Sequence, residues 1–306
     1  GSSTCRAIRE ETSMGLKDVK TVLLLIGCLS VACLRLLPHP PLDMFADVES
    51  SLICEWHASC FMGTAFLLTL VYFDDRPVII AQGGRTTKLL GMHRWYLLGT
   101  QAYTALCAYF AISVVLDMGF GTTSKRFCRL AGMMFAIAWP ACLFATGFAR
   151  LALHSRCSRT GPKTSQPSFG GRPRPLYLYN SNVLFCLGEL TLRGRQKLLR
   201  WEDLPMAVLF AVFVCASQLQ LLRYHSVVSL SMLDIQENRA WLRYTCFCLT
   251  FVILYSAGLL VMWVNETAPF GTVPTYVSMM AVSLAFVPLW ESKQYADADS
   301  IASKLD

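Results

Sequence analysis

The chain is poor in charge. Asp, Glu, Lys and Arg make up 15% of its 306 residues, where a soluble domain carries about 25%. This composition excludes a disordered, collagenous or disulfide-stapled mini-protein. The motifs of soluble catalysis are missing too: HExxH, GxSxG, GxxxxGK[ST] and a Cys/His zinc spacing do not occur. Gly119-Phe120-Gly121-Thr122-Thr123-Ser124-Lys125 comes nearest to a phosphate loop. Its spacing fits neither phosphate-binding fingerprint and it follows an apolar helix, so it reads as a turn. No internal repeat is visible, which argues against an inverted-repeat transporter.

What is present is hydrophobicity, 54% of the residues. A membrane span needs roughly 20 apolar residues. Seven segments meet or approach this length: Thr21–Leu37, Leu52–Phe73, Trp95–Leu116, Leu130–Ala149, Leu204–Leu222, Thr245–Val264 and Thr272–Trp290. Five of them contain no Asp, Glu, Lys or Arg, so they lack the polar stripe of a soluble helix. The sequence therefore predicts an all-α polytopic membrane protein of about seven transmembrane helices. Asp203 and Pro205 mark the start of the fifth span, Pro274 the first turn of the seventh, and Pro140 a kink in the fourth. Tyr72, Trp95, Tyr96, Tyr224, Trp241, Tyr244, Trp263 and Trp290 sit at span ends as an interfacial belt. Most of the thirteen cysteines fall within apolar runs, where Cys behaves as a small apolar residue.

The net charge is +7, unevenly placed. The order predicted is a basic tail (1–20), spans one to four (21–154), a basic loop (155–203), spans five to seven (204–290) and an acidic tail (291–306). The tail, the loop holding Arg76, Arg85, Lys88 and Arg94, and the loop 155–203 are expected on the positive face. Two features fit this poorly. Arg223, Arg239 and Arg243 flank a loop assigned to the other face, and Asn265–Gly271, assigned to the positive face, has no Lys or Arg. The sequon Asn265-Glu266-Thr267 is expected to be unmodified, and a glycan there would invert the last three spans. Within the basic loop, Val183–Trp201 reads as an amphipathic interfacial helix, with Arg193, Arg195, Lys197 and Arg200 facing anionic headgroups such as cardiolipin.

Ionisable groups inside a membrane are functional candidates. Glu55 and Arg35 are the intramembrane polar candidates, and Arg35 is placed to snorkel towards Glu55 as a structural pair. His57 is two residues from Glu55 and cannot face it on one helix. Haem ligation is a weaker possibility, with His57 and His225 near one face and His93 and His154 near the other. Gln101, Thr104, Gln218 and Ser256 are placed to hydrogen-bond between helices or to line a polar path. Ala141, Ala145 and Ala149 form a close-packing face on the fourth span.

Three function classes remain open. The favoured one is an accessory subunit of a multi-subunit membrane complex, with other subunits and bound phospholipid as partners and no nucleic acid. A transporter, channel or receptor would need an intramembrane ionisable partner, for which Glu55 is the candidate. A membrane enzyme or haem protein is third, and no cofactor other than lipid is expected. The excess of Arg over Lys and the non-Met first residue, Gly1, favour a mitochondrial inner membrane or similar energy-converting membrane over endomembrane or plasma membrane. Gly-Ser-Ser-Thr reads as a linker remnant or as the end left by removal of a targeting peptide.

Overall fold

A computed structural model gives the fold of residues 2–36, 51–73, 78–82, 85–119, 125–157, 174–192, 198–233 and 239–267. Among the described residues seven helices make up the bundle: α1 (Ser2–Leu36), α2 (Ser51–Phe73), α3 (Leu98–Asp117), α4 (Lys125–Cys157), α5 (Arg174–Leu192), α6 (Leu204–His225) and α7 (Ala240–Thr267). Short 3-10 turns lie at Gly91–Tyr96, Trp201–Asp203 and Ser231–Leu233. Six helices contain stretches long and apolar enough to cross a bilayer: Leu16–Leu36, Ile53–Phe73, Leu98–Asp117, Arg126–Gly147, Trp201–His225 and Ala240–Trp263. They coincide with the first six expected spans. The chain is an all-helical integral membrane protein in its described residues, apart from one hairpin. The expected span Thr272–Trp290 and the tail 291–306 lie outside those residues.

The helices sort by burial. α3 and α4 are central and pack most extensively on each other, whereas α1 and α2 leave most of their surface outward. α1 packs against α6 and α7. A ring-rich core fills the interior, with Phe144 stacked on Phe251 at 5.7 Å and Tyr109 against Phe135 at 4.9 Å. Pro140 is inside α4 as expected, and is buried. Pro205 lies in the first turn of α6, but Asp203 makes no capping bond with its side chain. α6 ends on Ser226 in the left-handed region (φ 58°), whose N–H bonds to Leu222 O.

The loop holding Arg76, Arg85 and Lys88 contains an antiparallel hairpin, β1 (Val78–Gln82) paired with β2 (Arg85–Leu89). Gln82 pairs with Arg85, so Gly83 and Gly84 alone separate the strands, a two-residue connection of glycines suited to a tight hairpin.

Contacts across the bundle fix the helix directions. Arg94, after the hairpin, donates from Nη1 to Val71 O near the end of α2. At the opposite end, His57 near the start of α2 meets Asp117, the last residue of α3. α5 runs parallel to α3, because Ser181 meets Tyr103 and Glu189 meets Tyr109. It runs antiparallel to α2, with Glu189 at His57 and Phe185 beside Gly63. α6 returns: Gln218 Nε2 donates to Tyr96 O at 2.8 Å, and Thr87 Oγ1 reaches His225 O at 3.3 Å. α7 is antiparallel to α4, with Trp139 at Leu254 and Phe144 at Phe247. From α2 to α7, successive helices alternate in direction.

This arrangement corrects two expectations. Val183–Trp201 is not one interfacial helix: α5 ends at Leu192, and Leu198–Arg200 is not helical. Asn182, Cys186, Glu189 and Leu190 on α5 are buried inside the bundle. An apolar half-helix gains more from packing on α2, α3 and α4 than from lying in an interface. The basic loop is also divided. Arg174 starts α5 at the hairpin end, and Arg200 lies just before α6 at the other. Consequently Arg223, Arg239 and Arg243 fall at the hairpin end, and the sequon closes α7 at the opposite one.

Candidate functional site

One ionisable cluster lies inside the bundle, at the end remote from the hairpin. His57, in the second turn of α2, is fully buried. Its Nδ1 contacts Asp117 Oδ2, and its Nε2 is 3.0 Å from Glu189 Oε1. Glu189 is fully buried and the Asp117 side chain is 5% exposed. Tyr109 donates its O–H to Glu189 Oε1 at 2.5 Å, and Trp56 donates its indole N–H to Oε2 at 3.0 Å. Three helices thus converge on one imidazole held between two carboxylates.

Local structure explains the convergence. Tyr109 and Asp117 are eight residues apart on α3, so they share a broad face. Gly188 lets the Trp56 ring lie directly against the α5 backbone, because a Cβ there would overlap the indole. That close approach carries the indole N–H to Glu189 on the next residue. Phe110 and Phe185 wall the site, with Phe110 6.2 Å from the His57 ring. Cys54 lies within electrostatic reach of Asp117, and Cys60 and Cys186 within reach of Glu189.

The donors around Glu189 define its charge state. An indole N–H and a phenol O–H both point at its oxygens, an arrangement that favours the ionised carboxylate. His57 then carries a proton on Nε2, facing that carboxylate. The remaining proton belongs to the contact between His57 Nδ1 and Asp117. It sits on nitrogen, giving imidazolium and carboxylate, or on oxygen, giving neutral imidazole and carboxylic acid. Burial strengthens the electrostatics on both sides of this exchange. His57 thus stands between Glu189, deep in the bundle, and Asp117, the outer member at the end of α3. The carboxylates occupy opposite edges of the ring, so they do not converge on one metal ion. Among the described residues no group of three His, Cys, Asp or Glu side chains is arranged to hold one.

A second polar set lies at the hairpin end. Gln101 Nε2 donates to Ser217 Oγ at 3.0 Å, and Gln218 accepts from Ser229 N at 2.9 Å. Gln101 and Gln218 therefore join helices and loops as expected, and Thr104, besides bonding the Thr100 carbonyl of its own helix, is a hydrogen-bond partner of Tyr72 on α2, whereas Ser256 bonds a carbonyl of its own helix.

The other sequence candidates are placed as follows. Glu55 is exposed, and the residues beside it, Trp56 and His57, enter the site instead. Arg35 is also exposed and makes no ion pair with Glu55, because α1 packs on α6 and α7. Both nitrogens of His57 face carboxylates and His225 lies at the other end, so these two histidines, weak haem candidates from sequence, are not placed together. His225 meets His93 edge-on instead, at 5.5 Å between centroids. The side chain of His154, and residues Arg193, Arg195 and Lys197, lie outside the description. Arg200 is half-buried, its backbone N–H on Tyr255 Oη at 3.2 Å and its carbonyl accepting from the same hydroxyl at 2.6 Å.

Sequence reasoning missed Asp117 and Glu189. Asp117 was cut off one residue past the third span. Glu189 lies inside the apolar run Val-Leu-Phe-Cys-Leu-Gly-Glu-Leu, the signal that could have found it. Comparison of the chain with protein-family models, with curated proteins and with solved structures finds no match, so the functional reading rests on this geometry.

Proposed function

We propose that the chain is a proton-handling membrane protein, in which the Asp117–His57–Glu189 relay couples proton binding to transport across the bundle. The observation that carries this reading is the buried imidazole held between two buried carboxylates on three different helices. Such groups are costly within a membrane and mark proton relays. A change in the His57–Asp117 proton alters the charge between α2 and α3, and so biases how those helices pack.

The test is reconstitution into liposomes loaded with a pH-sensitive dye, with the membrane potential clamped by valinomycin and potassium. Wild-type protein is expected to carry proton flux above empty liposomes. His57→Gln and Asp117→Asn are expected to lower it at least tenfold. Wild-type flux in both variants sinks the reading.

A second reading is that of an accessory subunit of a multi-subunit complex in an energy-converting organelle membrane, holding anionic phospholipid such as cardiolipin. Two observations favour it. Leu24, Leu25 and Leu29 on α1 and Met62, Phe66 and Leu70 on α2 are exposed. A groove of about 870 Å3 between α1 and α6 has Lys20 and Arg35 among its lining residues. Co-migration with partners on native gels in mild detergent supports this role; a stable monomer that carries flux excludes it. Lipid retained near Arg193, Arg195, Lys197 and Arg200 is read by native mass spectrometry after changing the four to glutamine.

A further inference from the structure

We propose that α5 is itself a membrane crossing, and that the relay opens at Asp117 on the face opposite to the one holding the basic hairpin. The helix crossing rests on packing; the proton-entry side rests also on charge and on the relay reading. Two observations bear on these, one on the crossing and one on the side.

The first is geometric. α5 runs from the Tyr103 level of α3 to the Tyr109 level, and from the Gly63 level of α2 to its start at Trp56 and His57. Its nineteen residues give a length of about 28 Å at 1.5 Å per residue, close to the hydrocarbon thickness. Its one acidic residue in the apolar stretch Ser181–Leu190 is Glu189, which is paired, so the usual objection to a charge in a span is met.

The second is the distribution of Lys and Arg. With α5 outside the membrane, α6 and α7 are inverted, Arg223, Arg239 and Arg243 lie on the acidic face, and Asn265–Gly271 lies bare of cations on the basic one. With α5 as a crossing, those arginines join Lys88 and Arg94 at the hairpin end. The other face takes Lys125, Arg126 and Arg129 at the start of α4 and Arg200 before α6, and by sequence Arg193, Arg195 and Lys197 follow α5; the hairpin end, with Arg85, Arg174 and, adjoining it in sequence, Arg76 and the basic segment 158–173, keeps the larger share. The short-flank rule for cations then places the hairpin end in the cytoplasm, matrix or stroma. Asp117 is the relay's outer member and the last residue of α3, so it takes its proton from the opposite compartment. The groups around the exchanging pair are Cys54 on α2, Tyr109 on α3 and Glu189 on α5, with Glu55 exposed on the same end of α2. The sequon at Asn265 ends up on that same face.

Four exposed positions decide the matter: Met92 and Tyr224 at the hairpin end, Met118 and Trp201 at the relay end. Each is changed singly to cysteine in the full chain and treated with a membrane-impermeant polyethylene glycol maleimide, in sealed vesicles of known orientation and after permeabilisation. The readout is one label beyond those of wild type. Met92→Cys and Tyr224→Cys are expected to label from the cytoplasmic-type face, and Met118→Cys and Trp201→Cys from the other. Pairing of Trp201→Cys with Met92→Cys, or of Tyr224→Cys with Met118→Cys, overturns the crossing. Labelling of Met118→Cys from the cytoplasmic-type face overturns the entry side. Both failures are independent of proton flux in His57→Gln and Asp117→Asn, which decides the relay.

Discussion

The two ends of the bundle solve the burial of polar groups in opposite ways. At the hairpin end, Gln101, Ser217, Gln218 and Ser229 exchange neutral hydrogen bonds that tie α3, α6 and the loop after α6 together. At the relay end, three groups that can each hold or lose a proton are stacked in series. A neutral network has one arrangement of protons and rigidifies; a carboxylate–imidazole–carboxylate series has at least two, differing in where charge sits. The same bundle therefore holds a fastening at one end and a titratable element at the other. Arg94 belongs with the fastening. Its guanidinium caps the carbonyl end of α2 at Val71, where a cation is favoured by the helix dipole.

The sharpest way to break this comparison is at His57. His57→Gln leaves two buried carboxylates without their common partner, and breaking a buried ion pair from one side costs about 3–5 kcal/mol. Thermal unfolding in detergent should fall steeply, with the proton signal lost. Rescue of stability without rescue of flux is expected when Asp117→Asn is added, since one buried carboxylate is then neutral. Next in size is Gly188→Val. Overlap with the Trp56 ring forces the indole off α5, and overpacking of this kind costs about 1–3 kcal/mol. It should also remove the indole N–H from Glu189, which the carboxylate bands in infrared difference spectra between low and high pH would register as a shift.

At the hairpin end the expected effects are smaller and of a different kind. Gln218→Leu removes the bond to Tyr96 O and the acceptor for Ser229, costing about 1–2 kcal/mol, with proton flux unchanged. Gln101→Leu loses one interhelical bond, worth about 0.6 kcal/mol in a membrane, again with unchanged flux. Altered flux in either hairpin-end variant, at constant protein amount, would erase the division between the two ends.

The first six apolar spans were legible because each is a long run in which the lack of charge is itself the signal. α5 was not, and the reason is local. Its apolar stretch is only Ser181–Leu190 and contains Glu189, so length and charge both argued against a crossing. The counter-argument lies in Trp56, Tyr109 and His57, which are far away in sequence. With α5 left out of the bundle, His225 falls on the face opposite His93, whereas the two rings meet. Arg223, Arg239 and Arg243 already signalled that error, through their conflict with the cation rule. The hairpin was readable in principle from Val78-Ile79-Ile80 and the Gly83-Gly84 pair. Glu55 drew attention because it carries charge in an apolar run, but helical spacing turns it outward when His57 turns inward.

The indole of Trp56 has one further consequence. Its N–H rests on the carboxylate that faces the imidazole, so the excited state of that ring senses the charge on His57 across Glu189. The native chain thus contains its own optical gauge of site occupancy: the difference in emission between wild type and Trp56→Phe should follow proton loading in real time, without any dye.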